Sequence, residues 1–291
     1  MCEEQQYLDL VKEIIERGYV EEGRNGHTRV VFGRTMRFSL ADGIIPILTT
    51  KRVAYKTCFE ELFWFIRGST SNAELRSKNV TIWDGNSSRE FLDSRGLVDR
   101  AEGDLGPVYG FQWRHFNASY TDCAADYTGQ GVDQLARIIA DLKNPDTRSS
   151  RRHILSAWNP CQLDEMALPP CHMICQFNVR QGKYLSCALF QRSGDVGLGV
   201  PFNIASYSML THLLAAHCGL VAEEFVHFIG NCHIYEEHVF ALKTQLEREP
   251  MDFPKIRIAN AHDSIEDYTM DDIEWTSPYK SHGPIKMKMS A

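Results

Sequence analysis

The chain has no surplus of basic charge. Its 31 lysines and arginines stand against 38 aspartates and glutamates, a formal net charge of -7 at pH 7. A nucleic-acid backbone calls for a basic surface, so this balance argues against a general affinity for it. An anionic ligand would have to be met by arginines gathered locally. Long apolar runs are also missing. The most apolar stretch, residues 204–220, is interrupted by Ser206, Ser208, Thr211, His212 and His217, and reads as a buried helix, not a membrane span. The opening Met-Cys-Glu-Glu-Gln-Gln has neither the basic start nor the apolar core of a secretory segment. Nine cysteines are present. Their odd number, the length of the chain and the missing export segment favour reduced thiols in a cytoplasmic protein over a disulfide framework. The sequons at Asn79, Asn86 and Asn117 are then expected to carry no glycan.

Repeats, low-complexity linkers and shifts in composition are absent as well. With 43% apolar and 24% charged residues over 291 positions, the simplest account is one α+β domain over 1–291 with a large mixed sheet flanked by helices. Tyr7, Leu10, Val11, Ile14 and Ile15 recur at helical spacing, and Gly18 is a natural stop. Residues 28–32 and 36–39 read as strands. Residues 57–66 form an apolar helix with two glutamates inside it, so a buried carboxylate needs explaining. Periodicity is poor across 84–130, which suggests an irregular, loop-rich subdomain. Residues 132–142 form the next helix and 153–158 a strand. Residues 173–179 and 184–191 flank Arg-Gln-Gly-Lys as a hairpin. Asn203 is expected to open a long buried helix ending at Gly219. A strand over 225–229 and a helix over 236–246 follow. The tail alternates at Ile285, Met287 and Met289, like an edge strand or a closing flap.

Cys171 follows Pro169 and Pro170, which fix the backbone ahead of the thiol, and a strand follows it. That geometry suits a nucleophile held in place, and a cationic neighbour would favour its thiolate. A buried structural cysteine is the competing reading. Metal binding by Cys171, His172 and Cys175 is disfavoured, because a strand turns alternate residues to opposite faces. The segment from Gln191 through Arg192, Ser193, Gly194 and Asp195 to Gly199, Phe202 and Asn203 runs from a strand end to a helix start. Its arginine, serine and helix N-terminus suit an anion, although a glycine-rich turn would read similarly. Arg24 and the pair Arg151-Arg152 are further candidates, or a solvated face. His233 and His238 are five apart, the wrong spacing for a metal pair on one helical face. His233 and Tyr235 suit a sugar hydroxyl better.

Leu-Pro-Pro-Cys-His and Gln-Arg-Ser-Gly-Asp through Pro-Phe-Asn-Ile-Ala-Ser-Tyr resemble the thymidylate synthase family. Leu48-Thr-Thr-Lys-Arg, Glu61-Leu-Phe-Trp-Phe, Ile82-Trp-Asp and Gly103-Asp-Leu-Gly-Pro-Val-Tyr-Gly-Phe-Gln-Trp-Arg-His extend the likeness over nearly the whole chain. The resemblance implies a homodimer packed sheet against sheet that converts dUMP to dTMP. It implies 5,10-methylenetetrahydrofolate as donor of both carbon and hydride, with no metal. Catalytic roles are implied for Cys171, Glu61, Tyr109, Arg192, Asn203 and Asp195. Cys171 would add to C6 of the uracil, Tyr109 would assist loss of the C5 proton, and Glu61 would relay protons. Arg24, Gln191, Arg192, Ser193, Asp195, Asn203, His233 and Tyr235 would hold dUMP, with Arg151 and Arg152 reaching in from the partner. Lys51, Ile82, Trp83, Leu168, Asp195, Gly199, Phe202 and the C-terminal Ala291 would hold the folate.

The chain departs from the family pattern in places. The Arg24 loop is one residue short, two extra residues lie within 147–150, and Asn178, Asn231 and Glu236-Glu237 replace the usual residues. Two alternatives remain: a dUMP hydroxymethylase of the same superfamily, and a catalytically idle RNA-binding paralogue. Asn203 and Trp83 weigh against the first, and the intact reacting groups and acidic surface against the second.

Overall fold

A computed structural model describes residues 2–23 and 26–288. Its centre is a six-stranded sheet of β1 (Tyr19–Gly23), β2 (Gly26–Ser39), β3 (Ile154–Ser156), β4 (His172–Arg180), β5 (Tyr184–Asp195) and β6 (Val221–Tyr235), in the order β1-β2-β6-β5-β4-β3. Every pairing is antiparallel except β5 with β6. Parallel neighbours cannot be joined by a tight turn. The chain therefore crosses between them through a helix, residues Gly199–His217. Fourteen of its 19 residues are buried, as expected of a helix apolar on all sides. The mixed sheet and flanking helices match the α+β expectation.

Helix α1 (Gln5–Arg17) packs its apolar stripe inward, burying Tyr7, Leu10, Val11, Ile14 and Ile15. Just ahead of it Glu4 is fully buried. Its carboxylate accepts from the backbone N–H of Thr49 and Thr50 at 2.8 and 2.9 Å and from both hydroxyls at 2.6 Å. Helix α2 (Tyr55–Ile66) carries Glu60 and Glu61 as expected. Residues 72–115 hold α3 (Asn72–Ser77), α4 (Asp84–Ser87), α5 (Arg89–Ser94) and α6 (Tyr109–His115). Each is seven residues or shorter, too brief for a periodicity to register, which is why 84–130 looked irregular. A small separate cluster of Phe111, Ala118 and Tyr127 lies there. Helix α7 (Gln134–Lys143) starts where Asp133 accepts from the N–H of Ala136. The crossover helix is α8, and α9 (Val239–Leu246) is followed by a two-stranded sheet of β7 (Lys255–Ile258) and β8 (Ile273–Ser277).

Several boundaries differ from expectation. The segments 28–32 and 36–39 are one strand, β2, which passes Gly33 at a φ of 75°. Glycine reaches that region without the Cβ clash other residues suffer. β6 is 15 residues long and includes the polar run to Tyr235. α8 begins at Gly199, so Asn203 lies a turn inside it. The described part of the tail forms no strand. It is held instead by His282 N–H donating to Thr49 O (2.8 Å), Arg248 Nη1 to Gly283 O (2.7 Å) and His238 Nε2 to Lys288 O (2.7 Å). Met289 lies outside the described residues.

One face of the sheet carries α8 and the core, while the other has an apolar centre. Phe190 and Phe228, register neighbours on β5 and β6 with rings 5.9 Å apart, are 43% and 37% exposed there. Ile154 at the β3 edge is 47% exposed in the adjoining row, which runs through Gln176, Ala188 and Val226.

Candidate active site

Cys171 is placed by the sheet. It stands one residue before β4, and its carbonyl accepts the backbone N–H of Arg192 at 2.9 Å. The side chain of Arg192 turns back on the same segment. Nε donates to Pro170 O at 2.8 Å and Nη2 to Pro169 O at 2.9 Å, while the guanidinium lies 5.7 Å from the Trp158 ring centre. Prolines lack an N–H but keep a carbonyl acceptor, so the two residues that stiffen the approach to Cys171 also hold the arginine. Burial pushes the partly exposed Cys171 thiol up, and the Arg192 charge pulls it down.

On the other side, the Cys171 backbone N–H donates to the Tyr109 hydroxyl at 2.9 Å. The Tyr109 ring stacks on His172 at 4.1 Å and meets Trp83 edge-on at 5.9 Å. Trp83 Nε1 donates to Glu61 Oε1 at 2.7 Å. Burial raises the Glu61 carboxyl to about 7, against the lowering influence of that hydrogen bond. A carboxyl so placed can both give and take a proton near neutrality. Glu61, Trp83, Tyr109, Cys171 and Arg192 thus form one chain of contacts. His172 is neutral: burial takes it down to about 3, and its Nδ1 meets the Tyr207 hydroxyl at 2.7 Å.

The third side is built from β5, α8 and β6. Gln191 Nε2 donates to Asn203 Oδ1 at 3.1 Å and to Ser193 O at 2.9 Å. Register pairs Ser193 with Asn231 and Asp195 with His233. His233 is lowered by burial and raised by Asp195; its Nδ1 lies 3.0 Å from Asn231 Oδ1, and its ring meets Tyr235 edge-on at 5.4 Å. Asp195 Oδ1 accepts from the N–H groups of Gly197 and Leu198 at 2.8 and 3.3 Å. The two amides immediately ahead of α8 are therefore engaged by a carboxylate. A side-chain carbon on Gly199 would lie 4.0 Å from both Asn203 Oδ1 and Asp195 Cβ.

The chain matches the family model described as thymidylate synthase over residues 5–291. The chain belongs to the thymidylate synthase family. Over 99% of its length it is 56% identical to a protein named probable thymidylate synthase from Schizosaccharomyces pombe. It is 54% identical to a bifunctional dihydrofolate reductase-thymidylate synthase from Paramecium tetraurelia and 54% identical to the thymidylate synthase of Homo sapiens, again over 99%. It spans 47%, 61% and 90% of these three relatives respectively.

Seen beside the thymidylate synthase roles, the remaining residues fall as follows. Ile82, Leu168 and Phe202 are half-buried and packed on the core, with Trp83 nearly buried. Lys51 is buried, and its ammonium donates inward to Gly197 O; burial lowers it to about 8. Arg151 and Arg152 are exposed in the turn before β3, and Gln176 Nε2 donates to Arg151 O at 3.1 Å. Arg24 and Ala291 lie outside the described residues. No cluster of three or more metal-binding side chains occurs among the described residues.

Reasoning from sequence missed the support behind these groups. The Gln191 amide meets Asn203, the Ser193 carbonyl and His227. The alternation Phe225, His227, Ile229 on β6 was the available signal that His227 faces inward. Glu4 had none, because its partners are 45 and 46 residues away.

Proposed function

We propose that this chain catalyses the reductive methylation of dUMP to dTMP, with 5,10-methylenetetrahydrofolate as carbon and hydride donor and dihydrofolate as by-product. The observation that carries the reading is the Arg192 guanidinium, pinned to the two carbonyls immediately ahead of Cys171 and pulling that thiol down. Such a charge favours the thiolate needed to add to C6 of the uracil. Addition saturates the C5–C6 bond and leaves C5 nucleophilic. When bound, the folate supplies a one-carbon unit at the oxidation level of formaldehyde and then a hydride. Ile82, Leu168 and Phe202, half-buried on the core, and the nearly buried Trp83 would offer its ring apolar contact, with Gly199 allowing close approach and Asp195 accepting a hydrogen bond. Lys51 and the C-terminal residues, Ala291 included, would meet its outer parts.

The Tyr109 hydroxyl, 2.9 Å from the Cys171 backbone nitrogen, is suited to guide the C5 proton to water. Glu61, with its carboxyl near neutrality, is suited to move protons at the folate side. Asn203 would pair with uracil O4 and N3–H, and His233 and Tyr235 with the ribose hydroxyl. Arg24, Arg192 and Ser193 would hold the phosphate. Arg151 and Arg152 would complete that cage from a second subunit. The exposed Phe190, Phe228 and Ile154 support a dimer through the uncovered sheet face, and the Arg151 carbonyl contacts Gln176 on that face. Nine free thiols support a reducing, cytoplasmic setting.

The test is incubation with 5-fluoro-dUMP and methylenetetrahydrofolate, then peptide mass spectrometry. A covalent ternary adduct on Cys171 is expected, along with a rise at 340 nm during dUMP turnover as dihydrofolate forms. An adduct elsewhere, or none, would overturn the reading.

A further inference from the structure

Asn203 can face a pyrimidine in either of two ways, because rotating its amide by half a turn exchanges donor and acceptor. One orientation complements the O4 acceptor and N3–H donor of uracil. The other complements the amino group and bare N3 of cytosine. The residues behind Asn203 contain one atom whose polarity cannot change, the carbonyl oxygen of Ser193, which only accepts. Gln191 lies 2.9 Å from it and must therefore turn its NH2 group that way. The second N–H of the same group reaches Asn203 at 3.1 Å, so the atom it meets is Oδ1. The opposite end of the Gln191 amide is then its oxygen, and His227 Nε2 stands 2.7 Å from it.

His227 is fully buried on the inward face of β6, and no hydrogen-bond partner of its Nδ1 occurs among the described residues. Burial takes its imidazole down to about 3, so the ring is neutral and carries its single proton on Nε2. Reversing Gln191 would set carbonyl against carbonyl at Ser193, and at His227 either N–H against N–H or an Nδ1–H tautomer whose buried donor has no acceptor among the described residues. Both faults fall on buried groups, where an unmade hydrogen bond is most costly.

We propose that His227 is a positioning residue for base recognition: together with the Ser193 carbonyl it locks the Gln191 amide, which in turn presents Asn203 in the uracil-reading orientation. His227 touches no ligand and acts through two amides. The inference rests on the assignment of Asn203 to the pyrimidine edge, and its test is kept apart from turnover.

Binding of dUMP and dCMP to the apoenzyme is measured by calorimetry for the wild type, His227→Leu, His227→Gln and Gln191→Glu. In His227→Leu the preference for dUMP over dCMP should fall by about tenfold or more. His227→Gln restores an N–H donor near the lost Nε2 and should recover most of the preference. Gln191→Glu gives Asn203 an acceptor instead of a donor and should shift the preference toward dCMP. A purely structural role would lower the melting temperature of these variants and leave the ratio alone. An unchanged ratio in folded His227→Leu and Gln191→Glu proteins would overturn the proposal. So would a wild-type His227 found as the Nδ1–H tautomer or as imidazolium, read from long-range proton–nitrogen NMR spectra of histidine-labelled protein between pH 6 and 8. A wild type that binds dUMP selectively but fails to turn it over would count against the proposed reaction and leave this inference standing.

Discussion

Replacing Glu61 with glutamine keeps the shape of the side chain and removes its charge. In the wild type, burial lifts this carboxyl from an ordinary 4.5 to about 7, so the folded state holds a proton that the unfolded state gives up earlier. Stability linked to that proton is fully present below pH 4.5 and is lost as pH rises through 7. At about 1.36 kcal/mol for each tenfold difference in proton affinity, the wild type should lose roughly 2.5 kcal/mol from this group between pH 5 and pH 8. The glutamine variant loses none of it, and the other titrating groups cancel when the two proteins are compared. Urea unfolding at one protein concentration, run at both pH values, gives the difference directly. Glu61→Gln should gain on the wild type by roughly 2.5 kcal/mol as pH goes from 5 to 8. Turnover of dUMP by the variant should fall, since no proton can be relayed. A stability difference that stays flat with pH would mean that Glu61 ionises like a solvated carboxylate, and the argument for its role as a proton relay would fail.

Two further outcomes follow from the geometry. In Arg192→Met the thiol of Cys171 loses the one charge among the described residues that lowers it. Alkylation of Cys171 by iodoacetamide at pH 8, followed on its own peptide by mass spectrometry, should slow by roughly three- to tenfold. An unchanged rate would remove Arg192 from thiolate activation. Glu4→Ala strips an acceptor from two backbone amides and two hydroxyls at Thr49 and Thr50. It should cost about 3 kcal/mol in urea unfolding; a loss below about 1 kcal/mol would mean that water replaces the carboxylate.

Much of the fold was legible because its signals are local. The stripe of α1, the apolar length of α8 and the hairpin of β4 and β5 each write their period into consecutive residues. Short elements escaped for the same reason, since α3 to α6 complete too few turns to show a period. The two strands expected at 28–32 and 36–39 are one, because Gly33 lets β2 kink without ending it.

The amino-acid sequence alone determined which groups could react: a thiol behind two prolines, an arginine and serine at a strand end, and a glutamate inside an apolar helix. Chemistry of that kind is carried by residue type and near neighbours. Only the tertiary structure decided how those groups are held. It closed the Arg192 fork onto two proline carbonyls 22 and 23 residues away, linked Glu61 to Cys171 through Trp83 and Tyr109, and set His227 behind Gln191 across a parallel strand pair. The polarity of a buried amide depends on partners the chain reaches only when folded, and no spacing along the sequence encodes it.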